Sequence, residues 1–194
     1  MIMAPTRHFR ASAIFFLLFN ASVIAAADVQ SAFTVQCSSL SALLPGKVFF
    51  LRNAKSNASL QSYFSAQEAS IAPFCIVIPT FTHDISSAVQ ALAAFHTFWP
   101  AYGIFAVRSG GHTPFASAAN IAGGVTIDLN AMKKISLSTT DKSVLSVSPG
   151  AHWIDVYSVL DPLQMTVVGG RGASIGVGGF LLDGGISFLS PSLG

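Results

Sequence analysis

The chain has 194 residues, of which 52% are hydrophobic and only 9% charged, against about 25% charged in ordinary soluble domains. This excludes a disordered tail, a coiled coil and a charged solvating segment. Ten Lys and Arg stand against eight Asp and Glu. Without Arg7 and Arg10, which lie in an N-terminal segment expected to be removed, the count is eight against eight. That leaves no basic surface for a nucleic acid.

Met1 to Arg10 holds two arginines and no acid, and Ala11 to Ala27 is small and apolar, closing on Ala25-Ala26-Ala27 before Asp28. Residues 1–27 therefore read as a signal peptide with an A-x-A cleavage site, which predicts a secreted chain with no membrane association after cleavage. The competing reading is a membrane anchor. A spanning helix wants about 20 apolar residues, and this stretch is interrupted by Asn20 and Ser22. Export bears on Cys37 and Cys75, the only cysteines: an oxidising compartment favours a disulfide between them, the alternative being two buried free thiols. Asn57-Ala58-Ser59 is a glycosylation triplet at Asn57 in a polar, surface-type stretch, although such triplets also arise by chance.

Residues 28–70 read as a helical region tied down by the cysteine pair, and residues 71–194 as the main domain. Phe74 to Ile78 is a short apolar run stopped by Pro79, which predicts a buried strand. Thr82 or Asp84 is expected to cap a helix through about Phe98, with Ile85, Val89, Leu92, Ala93 and Phe95 on its apolar side. Strands are expected at Ile104–Val107 and Val125–Leu129, a hairpin at Lys134–Ser138 and Val144–Ser148, a short helix at Trp153–Leu160, and a strand at Met165–Val168. Fifteen of the 16 glycines follow residue 102, eight of them in the 17 residues from Gly169 to Gly185. Strands and helices alternate irregularly, which predicts an α+β fold.

Several chemistries fail on spacing. Gly176-Val177-Gly178-Gly179 lacks the last glycine of a dinucleotide fingerprint, and the segment after it reads as too glycine-rich for a helix. No Gly-Lys-Ser/Thr occurs, and the histidines are too scattered to suggest a metal cluster. Gly172-Ala173-Ser174-Ile175-Gly176 fits the nucleophile elbow of a serine hydrolase. That elbow needs a helix after it and a later histidine, and none follows His152. Arg108-Ser109-Gly110-Gly111-His112 leaves a predicted strand at once. Two glycines there let backbone N–H groups converge as a nest for phosphate, and a second glycine loop follows Val168. Two nests suit a dinucleotide such as FAD; glycine turns are also commonly structural.

The order Val107-Arg108-Ser109-Gly110-Gly111-His112, Val125-Thr126-Ile127-Asp128-Leu129, Val147-Ser148-Pro149-Gly150-Ala151 and Gly176-Val177-Gly178-Gly179 resembles the FAD-binding domain of the p-cresol methylhydroxylase/vanillyl-alcohol oxidase family, and most of all its secreted fungal, berberine-bridge-enzyme-like oxidases. The resemblance spans about Cys37 to Gly194. It implies two α+β subdomains with FAD between them, here ending before the domain is complete. Ser109, Gly110, Gly111 and His112 match the loop around the FAD pyrophosphate, and His112 matches the histidine bonded to the flavin 8α carbon. Arg108 either supports that loop or is a solvated charge at a strand end. Thr113, Gly172, Ser174, Ile175, Gly176, Gly179, Phe180, Gly184, Gly185 and Ile186 complete the implied cofactor set. Gly172 stands where some relatives carry a second flavin-linked cysteine, so one covalent bond is expected. Cys37 and Cys75 match a disulfide common near the start of such domains. Phe180 replaces a frequent histidine, and Asp183 brings a side chain and a charge into a loop expected to approach the cofactor. The implied function is oxidation of a small alcohol, sugar or amine-type substrate by hydride transfer to flavin, with O2 or another acceptor as electron sink. The substrate platform and base of this family come from a later domain, so no catalytic acid or base is assigned. The rival expectation is an inactive or binding-only remnant.

Overall fold

A computed structural model describes residues 31, 33–100 and 102–193; the expected leader, 1–27, lies outside them. Residues 33–43 form helix α1. Phe33, Gln36, Cys37, Leu40 and, just past its end, Leu44 are buried, the three-and-four spacing of a one-faced helix. Strand β1 (Val48–Phe50) follows, then two short helices, α2 (Ala54–Gln61) and α3 (Ala66–Ala69). The Asn53 and Ser65 side chains cap them by accepting from the backbone N–H groups of Lys55 and Glu68.

Next come β2 (Cys75–Val77), α4 (Thr82–Phe98), β3 (Phe105–Arg108) and β4 (Val125–Asp128). The strands form one sheet in the order β1-β2-β4-β3, antiparallel between β1 and β2 and parallel elsewhere. Because side chains alternate across a strand, β2 and β4 present two different faces. Cys75, Val77, Val125 and Ile127 join α1 and α4 in an apolar core with Leu40, Ala88 and Leu92. The intervening Thr126 and Asp128 are equally buried but polar, and their partners lie on α2, at the end of β3 and on the surrounding loops. Cys37 on α1 and Cys75 on β2 form the expected disulfide, with Cα atoms 6.2 Å apart.

A second core belongs to the β-hairpin of β5 (Ile135–Leu137) and β6 (Leu145–Val147) with α5 (Trp153–Leu160) and α6 (Val177–Asp183). Ala151, Trp153, Val156, Leu160 and Val177 are its centre. A single turn, α7 (Ser190–Leu193), closes the described chain. Two cores, each with its own helices and strands, realise the expected α+β architecture.

Five local expectations change. Phe81, not Thr82 or Asp84, is the cap of α4. Asp84 instead reaches back to accept from the Thr80 and Phe81 N–H groups at 2.9 and 3.0 Å. β3 runs one residue later than expected, and β4 stops at Asp128, whose side chain accepts from the Asn130 N–H and starts a short 3-10 turn. Met165–Val168 is not a strand. Met165 and Val167 pack on the second core instead, without a neighbouring strand to pair. The glycine-rich segment after Gly176 is a helix, α6: close packing of Gly178 against Ser109 and Pro149 outweighs its poor helix propensity. Among the described residues, no helix is long and apolar enough to cross a membrane.

Candidate functional site

The chain leaves β3 at Arg108 and turns at once. Arg108 is only 2% exposed and points under the loop rather than into solvent. Its guanidinium donates to the Ser59 carbonyl at 2.6 Å and to the Ser62 carbonyl and hydroxyl at 3.0 and 2.8 Å. It lies 3.5 Å from the Asp128 carboxylate and stacks 3.8 Å from the Tyr63 ring centre. Ser59 donates to the same carboxylate at 2.5 Å. A buried pair of this kind is tolerable only because its remaining hydrogen-bonding capacity is largely met. Burial pushes the Tyr63 phenol well above the ordinary tyrosine range, although the Arg108 charge opposes it. That phenol donates to the Ala119 carbonyl at 2.8 Å.

Above this support the loop is open. Gly111 has φ +65°, in the left-handed region that turns successive N–H groups to one side. The N–H groups of Gly110, Gly111, His112 and Thr113 donate to no other described residue. The loop beyond is clamped by buried Glu68, whose carboxylate accepts from the Ser117 and Ala119 N–H groups at 3.1 and 2.6 Å.

The second glycine segment meets the first directly. Gly176 lies against Gly110, backbone on backbone, and pairs with His152 in an isolated β-bridge. Ser109 donates to the Pro149 carbonyl at 2.5 Å, which ties in the turn after β6. Between the two segments lies a cleft of about 1000 Å³, the upper end of the range of cofactor and ligand sites. Ser109, Gly110, Gly111, His112, Thr113, Gly172, Ile175, Gly176, Gly179, Phe180, Gly184, Gly185 and Ile186 all line it. A Cβ on Gly179 or Gly184 would meet nothing within 4 Å, so both positions face open space. His112 is half-buried at the cleft, its ring stacked on that of Phe64.

Two residues of the expected set do not line the cleft. Arg108 is drawn beneath the loop by its partners. Ser174 is exposed on the turn before α6, because Ile175 and Gly176 take the inward positions. No histidine among the described residues bonds to Ser174, and no strand precedes it, which removes the nucleophile-elbow geometry even though a helix follows. Gly169 and Gly170 are not a second nest. A Cβ at either would strike the Trp153 ring, so these glycines serve packing. Conversely, Tyr63, Phe64 and Glu68, which support the loop, carried no sequence signal: they lie far upstream in a segment without a motif. Among the described residues, no group of three or more His, Cys, Asp and Glu could hold a metal ion.

The FAD binding domain family model matches residues 73–194. The chain belongs to the FAD binding domain family. It is 38% identical over 147 residues to a FAD-dependent monooxygenase of Cercospora beticola, covering 76% of this chain and 28% of the relative. It is also 38% identical over 158 residues to one of Emericella nidulans, covering 81% and 32%. The fold is similar to wild-type BBE-like 1 of Physcomitrella patens, with TM-score 0.66 and 20% identity over 81% of this chain and 33% of that one. It is likewise similar to 6-hydroxy-D-nicotine oxidase from Arthrobacter nicotinovorans, with TM-score 0.65 and 23% identity over 76% and 30%. This FAD binding domain chain thus spans about a third of the length of these relatives, on their p-cresol methylhydroxylase-type domain.

The cleft suits the cofactor of its family. Unpaired loop N–H groups can receive phosphate, and Gly179 and Gly184 leave room where side chains would intrude. The Ser109–Thr113 loop and the Gly172–Ile186 segment are the parts of this chain that would hold FAD.

Proposed function

We propose that the chain is the flavin-holding part of a secreted FAD-linked oxidoreductase that oxidises a small alcohol, sugar or amine-type substrate, with O2 or another small acceptor taking the electrons. One observation carries this reading: two glycine segments, far apart in sequence, meet at Gly110 and Gly176 around a cleft with His112 on its wall. Bound in it, FAD would supply the hydride-accepting ring; this chain's residues bind and orient. The Gly110–Thr113 N–H groups hold the phosphates, and the apolar side chains of Ile175, Phe180 and Ile186 exclude water. The names of the curated relatives, FAD-dependent monooxygenases, support oxidative chemistry.

His112 is the proposed covalent anchor. Its imidazole nitrogen would hold FAD covalently at the cleft wall, and the bound flavin would supply the redox chemistry. The test is acid denaturation of the protein after incubation with FAD, followed by mass analysis of the His112 peptide. Flavin on that peptide supports the reading. Free flavin with an unmodified peptide refutes covalency, and absence of flavin altogether refutes the cofactor assignment.

A binding-only chain is the second reading, and the cleft lining favours it. Among the described lining residues, His112 is the only histidine and Asp183 the only carboxylate, so once His112 holds the flavin, Asp183 alone of these groups is left to serve as a substrate base. Turnover of alcohols, sugars or amines with a dye acceptor, above that of free FAD, would exclude it. Export is supported by the Cys37–Cys75 disulfide, and a secreted product starting at Asp28 would establish it. Asn57 is exposed on α2, but Ser59 of the same triplet is buried against Asp128. Any glycan at Asn57 is therefore added before folding.

A further inference from the structure

Phe64 is an aromatic residue 64% exposed to solvent, yet it is not disordered surface. Its backbone N–H donates to the Gly111 carbonyl at 3.0 Å, which fixes the main chain of the α2–α3 connection to the glycine loop. Its ring lies parallel to the His112 imidazole, with centroids 4.1 Å apart and planes 15° from coincidence. No hydrogen bond to a described residue orients that imidazole. The histidine side chain has a broad second torsion, and an imidazole on an open loop samples many ring orientations. Stacking on a face held by main-chain hydrogen bonding removes most of them. The support beneath is continuous: Tyr63, the preceding residue, carries the stacked Arg108 guanidinium and holds Ala119, and Glu68 holds Ser117 and Ala119.

We propose that Phe64 is a positioning residue for His112: its ring holds the imidazole in the cleft wall in the orientation from which the flavin bond forms. This rests on the covalent reading above. The stack leaves the imidazole edge, with its two nitrogens, free, so the ring is held without occupying the atom that must react. Pairing of two rings at this distance biases the orientation by about two- to tenfold, and loss of that bias slows bond formation by the same factor.

The test uses the full chain with Phe64→Ala, Phe64→Leu and Phe64→Tyr, and His112→Ala to assign the His112 ring resonances. Phe64 contributes no buried side chain, and Phe64→Leu keeps an apolar group should Phe64→Ala fold poorly. In the flavin-free protein, the His112 ring protons should show an upfield displacement from the neighbouring ring. It should vanish in Phe64→Ala and Phe64→Leu and persist in Phe64→Tyr. On adding FAD, flavin should accumulate on the His112 peptide about two- to tenfold more slowly in the first two variants and at the native rate in Phe64→Tyr. Unchanged His112 resonances, or native rates of attachment in Phe64→Ala and Phe64→Leu, would overturn the proposal. A native protein whose His112 peptide never gains flavin would overturn the covalent reading and with it the role in bond formation, while the resonances would still report whether the stack exists.

Discussion

Gly110 and Gly176 touch through their backbones: a Cβ on Gly110 would lie 2.5 Å from the Gly176 Cα, and one on Gly176 would lie 2.6 Å from the Gly110 Cα. This contact is the seam between the two cores. Alanine at either position must push the loops apart, and such overpacking costs about 1–3 kcal/mol. Gly110→Ala and Gly176→Ala should each lose that much in urea unfolding and also retain less FAD. Gly179→Ala is the counterpart. It sits inside α6 with nothing near its Cβ direction, and alanine favours a helix by about 0.8–1.0 kcal/mol over glycine. It should stabilise the flavin-free protein while lowering FAD retention, a separation that unfolding curves and flavin absorbance together would reveal.

Arg108→Ala would leave Asp128, fully buried, without its counter-charge. Removing one partner of a buried ion pair costs about 3–5 kcal/mol. Arg108→Lys keeps the charge but loses the planar stack on Tyr63 and the forked contacts to Ser59 and Ser62, so its loss should be intermediate. Equilibrium unfolding checks both, and a loss below about 1 kcal/mol for Arg108→Ala would disprove the supporting role.

Asp84 sets an acid limit on the fold. Partial burial alone would raise its pKa. Hydrogen bonds from Lys47 and from the Thr80 and Phe81 backbone outweigh that and lower the carboxyl from 3.8 to about 2. The folded value lies below the unfolded one, so the ionised group contributes stability that is present above the unfolded value and lost as pH falls through about 4 toward 2. Asp84→Asn should remove that part of the acid dependence and cost about 1 kcal/mol at neutral pH as its hydrogen bonds from Lys47 and from the Thr80 and Phe81 backbone weaken. Stability measured across pH in both proteins would test it.

Reduction of the Cys37–Cys75 bond, which closes a loop across a sequence separation of 38, should cost about 2–4 kcal/mol by freeing the unfolded chain. The melting temperature should fall on adding reductant, and Cys37→Ala/Cys75→Ala should melt lower with no further response to reductant.

Asp183 is exposed on the cleft wall at the end of α6, before Gly184 at φ +86°. A carboxylate there repels a cofactor with a charged pyrophosphate. Asp183→Gly should therefore retain more FAD after gel filtration, most clearly at low ionic strength, where the repulsion is least screened. Equal or lower retention would mean that this part of the wall stands away from the phosphates.

Local patterns made several elements legible without coordinates. The short apolar run ending at Pro79, the 17-residue helix from Thr82 and the hairpin around Asp141 depend on periodicity and turn chemistry within a few residues. The loop from Arg108 to His112 was legible because two glycines directly after a strand permit the left-handed backbone and close approach that a tight turn needs. What the tertiary structure decided depends on partners distant in sequence. Val125 to Asp128 reads as an apolar strand, yet its alternate residues face a buried polar network because Ser59 and Arg108 arrive on that side. α6 is helical through two glycines because Gly178 must pass Ser109 and Pro149 closely. Met165–Val168 has the composition of a strand but no neighbouring strand, and a lone strand leaves its backbone groups unpaired. Phe64 acquires its place beside His112 only through the turn that brings the α2–α3 connection under the glycine loop. No residue near Phe64 in sequence encodes that meeting; it follows from the packing of the whole first core.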